Sequence, residues 1–382
     1  MIKLVKTINK KLLPTFVVVL VIILYGLTPW GRITFKSLAL VAEFSPRVHL
    51  GILDLIGDKY TVDQVEVEAL GGKIPADVYR PGNNRKNPAV IFLIGTRGLR
   101  TNDGVKRFAN LFAKAGFVVL IPELDDLVQI DMRDTTIDKI NALFDYLYTR
   151  DFVDSKKIGL SGVCAGATLS LIAAADSRLS DRVKFVNVVS PFFDGWDLTR
   201  EVFTGQFKDE GRTEAWLTQE DPKEQLRLWY AGLAASTEEQ NILKESILAN
   251  GQIPDDKLET LSEDARSVFN FINTSSDTEF DRTREQLPQA VKVQVEAMTV
   301  RGKTERIKAK VYIIADSRDT YVAPVESKRL FESLPKKQAE FSYISSLNHV
   351  VPIRNLERLN LFQDALRIYF HIHSFLTYLD KK

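Results

Sequence analysis

The stretch "GLSGVCAGAT", residues 159 to 168, holds the only cysteine of a 382-residue chain. Glycine stands two positions before Cys164 and two after it, and Ala165 and Ala167 add little bulk. Upstream, "KKIGLSG" (156–162) reads as a buried strand, and downstream "ATLSLIAAA" reads as a helix. Small residues at such a junction permit a turn sharp enough to hold residue 164 in a strained conformation. This is the pattern of the nucleophile elbow, G-x-S-x-G, with cysteine in the serine position. The helix that follows directs its positive end at the sulfur, which favours a thiolate. Ser161 is a decoy: G-L-S-G-V lacks the last glycine, and the residue falls inside the strand.

Outward from this junction, strands and helices alternate. "PAVIFLIG" (88–95), "FVVLIPE" (117–123) and "VKFVNVVSPF" (183–192) are the apolar runs expected of strands buried on both faces. Between them, "GVKRFANLFAKAG" (104–116) and "TTIDKINALFDYLYTR" (135–150) have helical spacing. "DQVEVEAL" and "KIPADVYRP" alternate apolar and polar residues about Gly71 and Gly72, a hairpin. The sheet pattern resumes in "AKVYIIAD" (309–316) and "AEFSYI" (339–344), and a helix over 359–379 ends the chain. The expectation is an α/β fold with a mostly parallel sheet and helices on both faces.

From 196 to 306 the alternation stops. "KEQLRLWYAGLAA" sets Leu226, Trp229, Tyr230 and Leu233 on one face, and Ser236 with Glu239 forms a capping box. These residues predict a helical cap insertion, a lid. The predicted core is therefore 63–195 with 307–382, the cap 196–306, and 31–62 a connector.

A nucleophile needs a base, and the base an orienting acid. The chain has four histidines. His371 and His373 lie two apart on the last helix, on nearly opposite faces, and read as structural. His49 precedes the domain. His349, in "SSLNHVVP", follows the last strand, at the carboxyl edge where open α/β sheets place their sites. "IIADSRDTYVAP" offers two acids, Asp316 and Asp319. Asp316 is close enough to the strand end to be a turn residue, so Asp319 is preferred.

Nucleophile, acid and histidine in this order resemble the α/β-hydrolase superfamily, and the cysteine makes the chain most similar to dienelactone hydrolases. The resemblance spans roughly residues 63 to 379. It implies a Cys164, Asp319, His349 triad, and D-T-Y-V-A-P is similar to the family's acid stretch. It further implies an oxyanion hole from the amides of Ala165 and of Thr96 in "IGTRGLR". Two departures stand out: Gly95 occupies the place of the family's glutamate near the thiol, and the cap is larger. Arg97 and Arg100 are candidates for binding a substrate carboxylate, set against solvated loop charges.

The amino terminus differs in composition. Lys3, Lys6, Lys10 and Lys11 (flank 1–11) precede "LLPTFVVVLVIILYGLTPW", which carries no charge. As one helix, residues 12–30 would rise about 28 Å, near the ~30 Å of a bilayer core. The expectation is an uncleaved transmembrane signal anchor, single-pass, with the catalytic body on the extracytoplasmic side. Net charge is +1, with 45% hydrophobic and 26% charged residues, so composition gives no sign of nucleic-acid binding. One cysteine excludes an intrachain disulfide and a thiolate-rich zinc site, and no cofactor or metal is expected.

The reading is a membrane-anchored hydrolase of a carboxylic ester, thioester or lactone, with a small-molecule substrate. Two alternatives remain open: an acyltransferase with the same triad, and a non-catalytic binding protein of this fold.

Overall fold

The computed structural model describes residues 13–44, 51–249, 253–353 and 357–381. At the amino terminus it departs from the single helix expected over 12–30. The run divides into α1 (Leu13–Leu27) and α2 (Pro29–Phe44). Proline disfavours helical geometry in the residue before it yet suits a first helical position. Thr28 Oγ1 accepts from the Gly31 amide at 3.0 Å, capping the new helix. A Cβ on Gly31 would lie 1.8 Å from the Tyr25 carbonyl oxygen, so the close turn requires glycine. The 15 residues of α1 rise about 22 Å, short of a bilayer core. Among the described residues, no helix is long and apolar enough to cross a membrane. The basic flank 1–11 and His49 lie outside the described residues. In α2, and in α3 (Ile52–Ile56), Ala39, Leu40 and Leu53 are buried against the body.

The body begins with β1 (Tyr60–Ala69) and β2 (Gly72–Pro81), paired antiparallel throughout. There follow β3 (Asn87–Leu93), α4 (Asp103–Lys114), β4 (Val118–Pro122), α5 (Asp125–Val128) and α6 (Thr136–Tyr148). Next come β5 (Val153–Val163), α7 (Ala165–Ala175) and β6 (Phe185–Val189). The cap runs through α8 (Gly195–Thr204), β7 (Gln206–Asp209), β8 (Arg212–Ala215), α9 (Glu220–Gly232) and α10 (Thr237–Leu248). It continues with α11 (Asp255–Thr260), α12 (Glu263–Ile272), α13 (Asp277–Gln286) and α14 (Gln289–Ala297). The chain then re-enters the sheet as β9 (Lys310–Asp316), followed by α15 (Pro324–Ser333) and β10 (Ala339–Ile344). Two short strands, β11 (Leu347–Asn348) and β12 (Val351–Pro352), lead to α16 (Arg358–Asp380).

Eight strands form one sheet in the order β1-β2-β4-β3-β5-β6-β9-β10. Pairing is antiparallel only where β2 meets β1 and β4; from β4 to β10 it is parallel. Each face carries its own apolar layer. On one, Phe112 of α4 and Phe375 of α16 pack on Phe117 and Phe185, with α2 beside them. On the other, α6 and α7 join the cap in a second cluster.

The cap has an aromatic centre, Tyr230 meeting Phe271 at 4.8 Å and Phe271 meeting Phe280 at 5.3 Å. Ser236 and Glu239 make the reciprocal bonds of a capping box. The β7–β8 hairpin has no counterpart in the apolar pattern, because β8 is exposed along its length. Its turn residues, Glu210 and Gly211, both have positive φ, as a two-residue hairpin turn requires. The cap's root is pinned by Arg329 of α15, which bridges Glu201 of α8 and Glu326. Glu326 Oε2 also accepts from the amides of Phe193 and Asp194, at 2.8 and 2.9 Å.

Candidate active site

Cys164 sits between β5 and α7 with φ 53° and ψ −128°, a region costing about 1–3 kcal/mol for a residue with a side chain. Its neighbours hold it there. Its amide donates to Val189 O at 3.0 Å, and its carbonyl accepts from Ala167 N and Thr168 N. A Cβ on Gly162 would come within 2.5 Å of Gly166 O, and one on Gly166 within 2.3 Å of Leu93 O. The two glycines are therefore the spatial requirement of the turn. Ser161 stays within β5, its hydroxyl donating to Asn187 O at 2.7 Å.

His349 follows β10 with φ 61°, and its Nδ1 lies 2.9 Å from Asp319 Oδ2. Asp319, in the loop after β9, is buried, and its Oδ1 accepts from Tyr321 N and Val322 N. With Nδ1 engaged by the acid, Nε2 is the imidazole atom left, and Cys164 is near enough to the ring to favour its charged form. Burial opposes a charged imidazole here. The Cys164 sulfur and Asp319 outweigh it, and the pKa of His349 is raised to about 10. The structure thus brings Cys164, His349 and Asp319 together. Asp316 is instead buried under the loop, accepting from Arg318 N at 2.9 Å, and burial pushes its carboxyl up to about 7. His371 packs between Ser342 and Asn187, and burial lowers its pKa to about 4, so it stays neutral.

Ala165 N opens α7, and Thr96 N stands in the loop after β3. Neither amide has an acceptor among the described residues. Gly95 backs directly onto the elbow: a Cβ there would lie 3.1 Å from Cys164 Cβ. The arginines depart from the role suggested by sequence. Arg97 is held by Asp221 at 3.1 Å and Glu224 at 2.7 Å, both on α9. Arg100 is paired with Asp77 and faces Glu123 at 3.6 Å. Opposite charges already neighbour both guanidinium groups, and neither arginine lines the cavity at Cys164.

These contacts reveal residues that sequence reasoning missed. Thr96 Oγ1 donates to Gln225 Oε1, which ties the loop after β3 to α9 a second time. Tyr321 stacks on His349 with centroids 4.7 Å apart and an interplanar angle of 17°. Burial, then a hydrogen bond to Asp221, pushes its phenol up to about 12. Trp216, just after β8, donates from Nε1 to Asp319 O at 2.8 Å. Tyr321 lies in the quoted acid stretch and was open to notice. Asp221 and Gln225, more than a hundred residues from the loop they meet, carry no local signal.

Under α9 lies a cavity of about 70 Å³ that includes Cys164, Ala165 and Thr96 in its wall. A larger open hollow of about 750 Å³, between the β7–β8 hairpin and β10, touches Asp319 but not Cys164. The small cavity is the one that faces the sulfur. A thiol at a strained turn, an oriented imidazole and two free amides beside this small space can form and hold an acyl-sulfur bond.

The elbow after β5, the acid after β9 and the histidine after β10 define an α/β-hydrolase-like fold. Among solved structures, the chain is similar to the acylaminoacyl peptidase of Pyrococcus horikoshii. The TM-score is 0.51 at 12% identity, covering 87% of this chain and 43% of that one. At this identity the likeness is one of fold. No family model matches the sequence. Protein usf of Aquifex pyrophilus is 30% identical over 126 residues, 29% of this chain and 54% of that protein. A probable 2-oxo-3-(5-oxofuran-2-ylidene)propanoate lactonase of Bradyrhizobium sp is 29% identical over 143 residues, 34% and 57% of the two chains. The chain thus spans about half the length of the curated relatives it matches.

Proposed function

We propose that the protein hydrolyses a carboxylic ester, thioester or lactone through a Cys164, His349, Asp319 triad and a covalent acyl-enzyme. The observation that carries this reading is the bond of buried Asp319 to His349 Nδ1, on a loop whose imidazole feels the Cys164 sulfur at the strained turn after β5. The Bradyrhizobium relative, a probable lactonase, supports hydrolysis of a carboxylic ester bond, its own substrate being a matter for that protein.

In this mechanism His349 Nε2 takes the Cys164 proton and the sulfur attacks the carbonyl carbon. The amides of Ala165 and Thr96 stabilise the oxyanion, a contribution of about 10²–10³ in rate per donor. The imidazolium then gives its proton to the leaving oxygen as the carbon–oxygen bond breaks. His349 next deprotonates a water that attacks the thioester, and the sulfur leaves with the proton returned. The sum is ester plus water to acid plus alcohol. Asp319 keeps the imidazole in the tautomer that presents Nε2.

The test is alkylation of Cys164 by iodoacetamide across pH, with His349→Ala beside the wild type, followed by ester turnover with Cys164→Ala. The wild type is expected to react at lower pH than the His349 variant, and Cys164→Ala to lose about 10⁴ or more in kcat. A thiol that resists alkylation identically in both proteins would overturn the proposal in favour of a binding protein.

We also propose that the protein associates with a membrane, its body on the extracytoplasmic side. Val18, Val21, Leu24 and Leu27 of α1 and Trp30 are exposed apolar residues. Trp30 meets His373 of α16, whose Leu359, Phe362, Leu366 and Phe370 are exposed at helical spacing. Lysines at 3, 6, 10 and 11 precede this surface in sequence. Such a face suits partial burial in the lipid interface.

A further inference from the structure

We infer that the acyl group carried by Cys164 is short, apolar and uncharged, so that the substrates are esters or thioesters of small neutral acids and not of acids bearing a second carboxylate. The inference rests on the hydrolytic reading above and names its substrate class.

Three observations carry it. The first is the lining. Beyond the reacting groups, the cavity wall is mostly apolar, with Met132, Leu198, Leu226, Trp229 and Met298, and its polar side chains, Thr168, Gln225 and Tyr321, are uncharged, with the Tyr321 phenol raised in pKa by burial. No lysine, arginine or histidine lines it among the described residues. The nearby cations are committed elsewhere, Arg97 to Asp221 and Glu224, Arg100 to Asp77 and Glu123. A carboxylate on the acyl chain would be buried without a partner, and burial of an unpaired charge is strongly unfavourable.

The second is size. A space of about 70 Å³ is small beside the roughly 300–1,000 Å³ of pockets that take drug-sized ligands. The third is the roof. Leu226 and Trp229 belong to α9, which is fastened to the oxyanion loop through Thr96–Gln225 and Arg97. Trp229 is fixed further by its Nε1 bond to Met132 O at 2.9 Å. A longer chain must therefore lift α9 and part these contacts. With an open-chain ester or thioester the alcohol or thiol has left once the enzyme thioester forms, so the group that must fit under the closed roof is the acyl group.

The full chain would be assayed with nitrophenyl acetate, butyrate and octanoate, and with the mono-nitrophenyl ester of succinic acid. We expect kcat/KM for octanoate and succinate to fall at least about tenfold below that for acetate or butyrate. Met298→Ala and Leu226→Ala each enlarge the cavity, and at least one should move the preference toward octanoate while leaving succinate poor. Circular dichroism of each variant identifies any that fails to fold. Octanoate or succinate turned over as well as acetate would overturn the inference and leave the hydrolytic reading standing. A thiol that alkylates but is acylated by none of the esters would also overturn it. A thiol inert to iodoacetamide would remove the hydrolytic reading and this inference with it.

Discussion

Asp316 and Asp319 share one loop and have opposite fates. Asp319 aims its carboxylate at His349; Asp316 is buried with Oδ2 lacking a partner. Burial raises the Asp316 carboxyl from 3.8 to about 7, so the folded chain holds that proton more tightly than the unfolded chain. The stability this contributes is fully present below about pH 4 and is lost as pH rises through 7. Asp316→Asn removes the buried charge and keeps an acceptor for the Arg318 amide. Thermal melts should show this variant matching the wild type at pH 4 and melting higher at pH 8.5. A lower melting point at pH 8.5 would mean that the ionised carboxylate is paired in solution. At this scale much of the site was legible in the sequence. One cysteine and four histidines leave few combinations, and the order of motifs along the chain selects among them. Tyr321 was missed because an aromatic near an acid has many structural explanations. The ion pairs of Arg97 and Arg100 were not legible because their acidic partners Asp221, Glu224 and Asp77 are distant in sequence.

The lid helix α9 is held to the loop after β3 by contacts that are individually weak. Arg97, Asp221 and Glu224 are 43%, 39% and 40% exposed, and ion pairs this open contribute about 0–1 kcal/mol. The closure is consequently reversible on a modest energetic scale. Glu224→Gln should speed iodoacetamide labelling of Cys164 by up to about fivefold, with little change in melting temperature. Added salt should do the same to the wild type by screening the pair. Labelling rates unmoved by either change would show that α9 is held by its apolar face alone. Among the elements, the strands of the main sheet were legible because burial on both faces leaves continuous apolar runs. The β7–β8 hairpin was not, since its polar strands lack that mark. The break between α1 and α2 was written in Thr28, Pro29 and Gly31, but the uncharged run obscured it.

Taken whole, the molecule has a sheet insulated on both sides and a separate apolar surface formed by α1, Trp30 and α16. α2 packs on both α1 and α16, and its Thr34 Oγ1 lies 3.4 Å from His373 Nε2. If this surface meets lipid, the full chain should float with vesicles containing anionic lipid in a density gradient. Phe362→Glu with Phe370→Glu should reduce flotation while the melting temperature holds, because both side chains are exposed. A wild-type chain that stays at the bottom of the gradient would remove the membrane from the account. The layer order was legible from alternation alone, whereas this surface depends on a chain reversal that hydropathy does not report. The solitary thiol has a practical consequence as well. Every thiol-specific adduct formed with the chain must be at the elbow, so one such mass shift counts competent sites. The ratio of labelling by small and bulky reagents then becomes a ruler for the aperture through which anything reaches the sulfur.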